Sequence, residues 1–225
     1  MTAIVLQARL DSQRLPGKSL LLLDGKPLVF RIMEALNLIS ADARILACPD
    51  DSVLSFAPLA EEAGFQIISG PKEDVLARYC LAVRRFSIKR VIRATADNPF
   101  VFTDAAAAIN AEAAALNADY AGYSGLPVGA GVESVSAAAL LRAETEAASA
   151  FEREHVCPYL YAHGELFRLH RPLAPLRWQD RNSVPIRLTV DTQEDYDRAK
   201  ELYAALKNDP QRHMGHTIIK RYTEI

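Results

Sequence analysis

Cysteine is scarce and scattered in this chain. The 225 residues hold three, Cys48, Cys80 and Cys157, and none stands in the CxxC spacing of a zinc site or redox motif. An odd number with no pairing pattern argues against a disulfide framework, so the thiols read as reduced and packed, and the chain as cytoplasmic. Long hydrophobic runs are missing too. Stretches such as Ser19 to Leu23 and Ala105 to Ala108 fall far short of the roughly 20 residues that cross a bilayer, and the opening MTAIVLQAR meets Arg9 without the apolar core of a signal peptide. No membrane association is expected. An excess of charge of either sign is also absent: 26 Lys+Arg against 28 Asp+Glu give a formal net charge of −2, which fits neither a disordered chain nor a nucleic-acid surface. Any binding of phosphates must therefore be local. There is no internal repeat at a fixed period, no heptad pattern and no low-complexity tract.

What is present is a regular alternation. Half the residues are hydrophobic, and a chain of this length buries most of the surface it exposes when unfolded, so one domain over residues 1–225 is expected. Ala3 to Gln7 is a short apolar run that ends in a polar stretch punctuated by Pro16 and Gly17, and Pro27 opens an apolar-periodic segment to about Ile39. The pattern recurs: Arg44 to Ala47 precedes a helical pattern from about Ser52 to Ala63, and Gln66 to Ile68 precedes one from about Val75 to Phe86. Lys89 to Ala94 then precedes a helical pattern from Thr103 to Leu116. Four strand-then-helix units predict a mostly parallel sheet covered by helices on both faces.

After Asp119 the rhythm changes to an α+β elaboration. A Gly/Pro-rich stretch from Gly122 to Gly131 leads to a strand at Val132 to Val135 and an alanine-rich helix to about Thr145. A helix around Ser149 to His163, a strand at Leu166 to His170, a strand at Ile186 to Val190 and a last helix after Thr192 follow. Ligands of open α/β sheets bind at the carboxyl ends of the parallel strands. The loops that begin at Ala8, Pro49, Ser69 and Thr95 should border one crevice.

Four clusters near that crevice carry chemistry. The loop Ala8-Arg9-Leu10-Asp11-Ser12-Gln13-Arg14-Leu15-Pro16-Gly17-Lys18 places three cations and a glycine directly after the first strand. Arginine forks and a mobile lysine suit phosphate oxygens, and three cations in one loop suit a triphosphate, although the GxxxxGK[ST] spacing is absent. The stretch Gly70 to Tyr79 has the form of a helix start, and the helix dipole accounts for Glu73 and Asp74 but not for Arg78. In Arg93-Ala94-Thr95-Ala96-Asp97-Asn98-Pro99 an apolar strand runs into a carboxylate. Mg²⁺ is usually held by one or two carboxylates plus substrate phosphates and waters, so Asp97 suffices as a metal ligand, while a turn or cap role is the structural alternative. Arg187 to Asp195 is a strand ending in Asp191, followed by a capping-box spacing at Thr192 and Asp195. The Asp195-Tyr196-Asp197 triplet falls inside a helical pattern and reads as solvated surface. Trp178, in a proline-rich loop, reads as a packing anchor.

The run QARLDSQRLPGKSL resembles the N-terminal signature of the cytidylyltransferases that activate acylneuraminate and Kdo-type sugar acids, and within them the branch called spore coat polysaccharide biosynthesis protein F. The resemblance covers residues 3 to about 200. It includes an Asp-Val-Leu-x-Arg element ending at Arg78, a Thr-x-Asp-x-Pro element around Asp97, and an Arg-Glu-His-Val-x-Pro-Tyr helix at 153–159. It implies a Rossmann-like, GT-A-like nucleotidyltransferase fold, a three-layer α/β/α sandwich with a nucleotide-binding half (1–120) and an acceptor-binding half with a C-terminal helix (121–225). It also implies a cytidylyltransferase of polysaccharide biosynthesis that uses CTP and a sugar-like acceptor, needs Mg²⁺, releases pyrophosphate and pairs as a homodimer through its second half.

Residue by residue, the resemblance puts Ala8, Arg9, Ser12, Arg14, Lys18, Arg78 and Asp97 at the nucleotide, with Arg9, Lys18 and Asp97 catalytic and Asp97 and Asp191 as metal ligands. On the acceptor side it points to Gly129, Glu133, Glu154 and His155. The acylneuraminate enzymes carry Lys-Gly before Leu-Pro where this chain has Arg14-Leu15-Pro16-Gly17-Lys18, so sialic acid itself is not implied. Two other readings stay open: a glycosyltransferase that consumes a nucleotide-sugar on the same kind of fold, and a non-catalytic nucleotide-binding module. The basic first loop weighs against the former, because a sugar donor's diphosphate needs fewer cations than a triphosphate.

Overall fold

The computed structural model describes residues 1–225. In chain order its elements are β1 (Thr2–Gln7), β2 (Leu22–Leu23), β3 (Lys26–Pro27), α1 (Leu28–Leu36), β4 (Ala43–Pro49), α2 (Val53–Glu62), β5 (Gln66–Gly70), α3 (Val75–Phe86) and β6 (Arg90–Thr95). The second half continues with α4 (Thr103–Ala115), β7 (Tyr120–Ala121), β8 (Glu133–Ser136), α5 (Ala137–Glu146), α6 (Ala150–His155), α7 (Pro158–Ala162), β9 (Leu169–His170), α8 (Gln193–Leu206) and α9 (Gly215–Glu224).

Seven strands form one sheet in the order β5-β4-β1-β6-β8-β7-β9. The pairs β1–β4, β1–β6 and β4–β5 are parallel, β6–β8 and β7–β8 antiparallel, and β7–β9 parallel. The parallel half is a consequence of patterning: successive residues of β1 point to opposite faces, and all of Ala3, Ile4, Val5 and Leu6 are fully buried. Ile4 and Leu6 pack with α1, α2, α4, α8 and α9, whereas Ala3 and Val5 pack with α3, α5 and α7. A strand buried on both sides has no solvent edge to offer, so helices must cover both faces. The strand order reverses at β1, with β4 on one side and β6 on the other. That reversal opens a crevice beyond the carboxyl ends of β1 and β6.

The second half departs from the sequence expectation in several places. The helix expected over Ser149 to His163 is two helices. Pro158 at the start of α7 has no N–H to continue the ladder, and Val156 takes φ 73°, ψ −56° while Cys157 N–H donates to the His155 carbonyl at 2.9 Å. This is a three-residue γ-turn of the rare positive-φ kind, on a β-branched residue that ordinarily avoids it. The run Ile186 to Val190 is extended but not a sheet strand: it makes one isolated bridge, Val128 with Arg187, because Val128 sits in a Gly/Pro-rich loop that offers no regular strand to pair with. The expected strands at Leu166–His170 and Val132–Val135 are Leu169–His170 and Glu133–Ser136. A further helix, α9, follows α8. Asp195 is not solvated: its side chain is 8% exposed and accepts from the backbone N–H of Asp191 and Thr192, closing the capping box of α8. Asp197 stays on the surface with Lys200.

The C-terminal segment folds back on the first half. Asp104, in the first turn of α4, accepts from Trp178 Nε1 at 2.7 Å and from the Gly215 backbone N–H at 3.0 Å. Trp178 is 1% exposed, as an anchor should be. No helix is long and apolar enough to cross a membrane, and all three cysteines are buried and unpaired.

Candidate active site

A cleft of about 690 Å³ lies at the crevice, walled by the β1 loop (Ala8, Arg9, Asp11, Ser12, Gln13, Arg14, Lys18), the start of α3 (Glu73, Val75) and the end of β6 (Arg93, Thr95, Asp97). Glu154, His155 and Asp191 close it from the second half. A smaller cavity of about 260 Å³ adjoins it through Arg93 and Thr95 and is walled by Asn98, Tyr120, Tyr123 and Glu133.

The β1 loop is held by its own backbone. Gly17 N–H donates to the Leu10 carbonyl at 3.1 Å and Ser19 Oγ to the Arg9 carbonyl at 3.0 Å, so residues 10–17 form a closed lobe. Gly17 sits at φ 68° with open space where a Cβ would lie. The left-handed backbone, not crowding, is what calls for glycine there. The turn sends Lys18 inward, where its side chain is 11% exposed and Nζ lies 2.8 Å from Asp191 Oδ1 and 3.3 Å from Asp97 Oδ2.

Two strand-like ends bring those carboxylates together. Val190 N–H donates to the Asp97 carbonyl at 2.8 Å, which sets the 186–191 segment beside the end of β6. Thr95 Oγ1 donates to Asp97 Oδ1 at 2.7 Å and itself accepts from Asn98 Nδ2. Along 186–191, Ile186, Leu188 and Val190 are buried while Arg187, Thr189 and Asp191 face the other way, the period of an extended chain. That alternation puts Arg187 Nη2 at 2.6 Å and Arg14 Nη2 at 3.3 Å from Asp191 Oδ2. Burial alone would raise the Asp191 carboxyl, but the Lys18 hydrogen bond and charge, with Arg14 and Arg187, hold it below the usual carboxylate range. Arg187 was not singled out from the sequence, although its alternation with Thr189 and Asp191 was there to be read.

The other expected residues fall into place unevenly. Arg9 reaches Glu154 at 3.2 Å and Asp11 at 3.9 Å, and Asp11 in turn meets Lys72 at 3.1 Å. Ala8 and Ser12 line the cleft, and the Ala8 N–H is spent on the Ala47 carbonyl. Glu154 and His155 end α6 at the γ-turn, whose strained backbone turns the chain just after them. Arg78 is not on the cleft wall. It is fully buried beneath the loop after β5, where Nη1 donates to the carbonyls of Pro71 and Lys72 and Nε and Nη2 have no partner. Burial lowers its pKa, yet a guanidinium stays charged. Glu133 lines the smaller cavity, bound by Arg93 Nη1 at 2.5 Å and by Tyr120 Oη at 2.8 Å. Gly129 lines neither cavity: at φ 88°, a Cβ there would meet Thr189 N at 2.8 Å and Asn98 Oδ1 at 2.9 Å. It lets the 126–131 loop pass close to the 186–191 segment.

Asp97 and Asp191 are the residues that could hold a metal. Their oxygens are hard donors, and one ammonium already touches both, so a single cation can satisfy the pair. No third carboxylate, histidine or cysteine joins them, a donor set that suits Mg²⁺ completed by substrate phosphate and water.

A family model described as Cytidylyltransferase matches residues 3–215. The spore coat polysaccharide biosynthesis protein SpsF of Bacillus subtilis is 31% identical over 208 residues, 88% of this chain and 85% of that protein. Among solved structures, a cytidylyltransferase from Leptospira borgpetersenii superposes with a TM-score of 0.86 at 20% identity, covering 99% of this chain and 94% of that one. The CMP:2-keto-3-deoxy-manno-octonic acid synthetase complexed with CTP gives 0.67 at 16% identity, covering 90% and 98%.

Proposed function

The chain belongs to the cytidylyltransferase family and is a nucleotidyltransferase, and from that premise we propose that it transfers CMP from CTP to a hydroxyl of a sugar or sugar acid, for surface polysaccharide biosynthesis. The observation that carries this reading is that one cleft gathers three loop cations, Arg9, Arg14 and Lys18, and two carboxylates from distant segments, Asp97 and Asp191, which Lys18 bridges and Arg14 approaches. A triphosphate needs the first set and a divalent cation the second. SpsF carries polysaccharide biosynthesis in its name and the superposing synthetase is complexed with CTP. These support the base and the pathway class.

In this reading Arg9, Arg14 and Lys18 bind the β- and γ-phosphates, and Ser12 supports them from the same lobe. Arg78 acts through the Pro71–Lys72 backbone that it holds beside the nucleotide. The acceptor lies in the smaller cavity, with hydroxyls on Glu133 and Tyr120, and Glu154 and His155 border its path to the cleft. Mg²⁺ on Asp97 and Asp191 would supply positive charge at the α-phosphate. A bond forms from the acceptor oxygen to the α-phosphorus, the bond from that phosphorus to the α,β-bridging oxygen breaks with its electron pair going to the departing pyrophosphate, and the hydroxyl proton passes to solvent water. The residues contribute by positioning and charge neutralisation, without a covalent protein nucleophile.

The test is pyrophosphate release with each of the four ribonucleoside triphosphates, Mg²⁺ and a panel of sugars and sugar acids, run beside Asp97→Ala. Release that depends on CTP and one acceptor, and is lost in the variant, is the expected outcome. Release of a nucleoside diphosphate from a nucleotide-sugar would instead make the protein a glycosyltransferase, and CTP binding without turnover across the panel would favour a non-catalytic role.

A further inference from the structure

Each of the three loop cations already has a carboxylate within the chain. Arg9 is on Glu154, Arg14 on Asp191, and Lys18 on both Asp97 and Asp191. They differ in how committed they are. Arg14 is 65% exposed and Arg9 42%, whereas Lys18 is 11% exposed and spans two carboxylates at once. The carboxylates differ as well. Asp191 retains Arg187 at 2.6 Å if Lys18 leaves, but Lys18 is the only cation on Asp97.

A compact ammonium on Oδ1 of Asp191 and Oδ2 of Asp97 occupies the space a divalent cation would need to touch the same two oxygens. The two cations repel and cannot share it. Lysine, unlike arginine, carries its charge on a flexible four-carbon stem that can re-aim by rotamer change alone. The Gly17 turn fixes where that stem starts. From these relations, and resting on the reading of Asp97 and Asp191 as metal ligands, we propose that Lys18 is an exchangeable internal counter-ion. It keeps the two aspartates neutralised and closed to free divalent cations. When the triphosphate draws its ammonium away, the carboxylates are released together, so nucleotide and metal enter the site as one coupled event. The same residue then serves the phosphates, and Lys18 links two binding equilibria that would otherwise be independent.

A bland alternative has Lys18 as a fixed structural ion pair that tethers the β1 loop. The two make opposite predictions about a protein without nucleotide. Binding of Mn²⁺ alone, followed by electron paramagnetic resonance, should be weak in the wild type and tighten at least tenfold in Lys18→Met, with Lys18→Gln as a second variant and circular dichroism to verify the fold. Adding Asp97→Asn to Lys18→Met should abolish the gain. Unchanged or weaker Mn²⁺ binding in both lysine variants would overturn the inference. If the wild type binds Mn²⁺ as tightly as the variants, and Asp97→Asn removes that binding, the metal reading survives and the exchange does not. If no protein shows binding that depends on Asp97, the metal assignment fails and the inference with it.

Discussion

The two halves of the chain are built by different means. In residues 1–120 the position of each element follows from burial: β1, β4 and β6 are sandwiched on both faces, and their helices run 9 to 13 residues. In residues 121–225 the strands are two to four residues long, and the backbone between them is held by hydrogen bonds from loop to loop, such as Ser124 N–H to the Pro172 carbonyl and Leu188 N–H to the Val128 carbonyl, with side-chain carboxylates added to them. Asp180 accepts from the Ile186 N–H at 2.6 Å, and Asp119 from the Arg168 N–H at 2.9 Å. In the first half a substitution acts through lost packing, whereas removing a carboxylate such as Asp180 in the second leaves a backbone N–H without its partner. The site draws on both halves, with Asp97 from the regular one and Asp191 from the irregular one. A hydrogen bond from Val190 N–H to the Asp97 carbonyl and the Lys18 bridge join the segments that carry them.

The harshest challenge to that contrast is Asp191→Asn. If the irregular half only shapes the acceptor site, this near-isosteric change should affect acceptor binding alone. The geometry instead predicts a loss of ~10²–10³-fold in turnover, the size typical of removing one charge-stabilising group, with the fold retained because Asp195 still caps α8. The measurement is kcat with saturating CTP and acceptor beside a thermal melt. Near-normal kcat would return the nucleotide chemistry entirely to the first half.

The same contrast governs what could be read from the sequence. The four strand-helix units and the crevice loops at Ala8 and Thr95 were legible because burial on both faces writes a continuous apolar run followed by a 3.6-residue period. The clustering of Arg9, Arg14, Lys18 and Asp97 followed from them. Asp191 was legible as a residue but not as the end of a non-sheet segment, since an isolated bridge leaves the same alternation as a strand. The break at Val156 was hidden: only Pro158 hinted at it, and nothing local announces a positive φ on valine. Arg78 and Gly129 were placed at ligands by resemblance. The structure gives both a backbone role: Arg78 donates to the Pro71 and Lys72 carbonyls, and Gly129, at positive φ, passes against Thr189 where a Cβ would clash.

A smaller effect would sharpen the division of labour. Glu133 sits on β8 with Arg93 and Tyr120, away from the loop cations, so Glu133→Gln should raise the acceptor KM by about tenfold, the equivalent of ~1.4 kcal/mol, while the KM for CTP stays put. Steady-state kinetics with each substrate varied in turn decides it. Equal increases in both would mean that the smaller cavity is not separate from the cleft.

The smallest expected effect concerns the seam where the second half returns to the first. The His213 carbonyl accepts from Thr103 N–H at 3.1 Å and Thr103 Oγ1 at 3.0 Å, at the start of α4, and the His213 ring accepts from Arg212 Nε at 3.0 Å. Burial, reinforced by the Arg212 charge, pushes the ring from 6.5 down to about 4. The folded protein therefore prefers the neutral ring while the unfolded chain takes up a proton below about pH 6.5. By linkage its stabilising contribution is complete above that pH and is lost as pH falls from about 6.5 towards 4. Urea unfolding at pH 7.5 and pH 5 should show the wild type losing about 1 kcal/mol more than His213→Gln between the two conditions, a figure reduced for the partial exposure of the ring. Parallel losses in the two proteins would place the acid sensitivity elsewhere and leave the seam to Asp104 alone, with Trp178 and Gly215 as its partners.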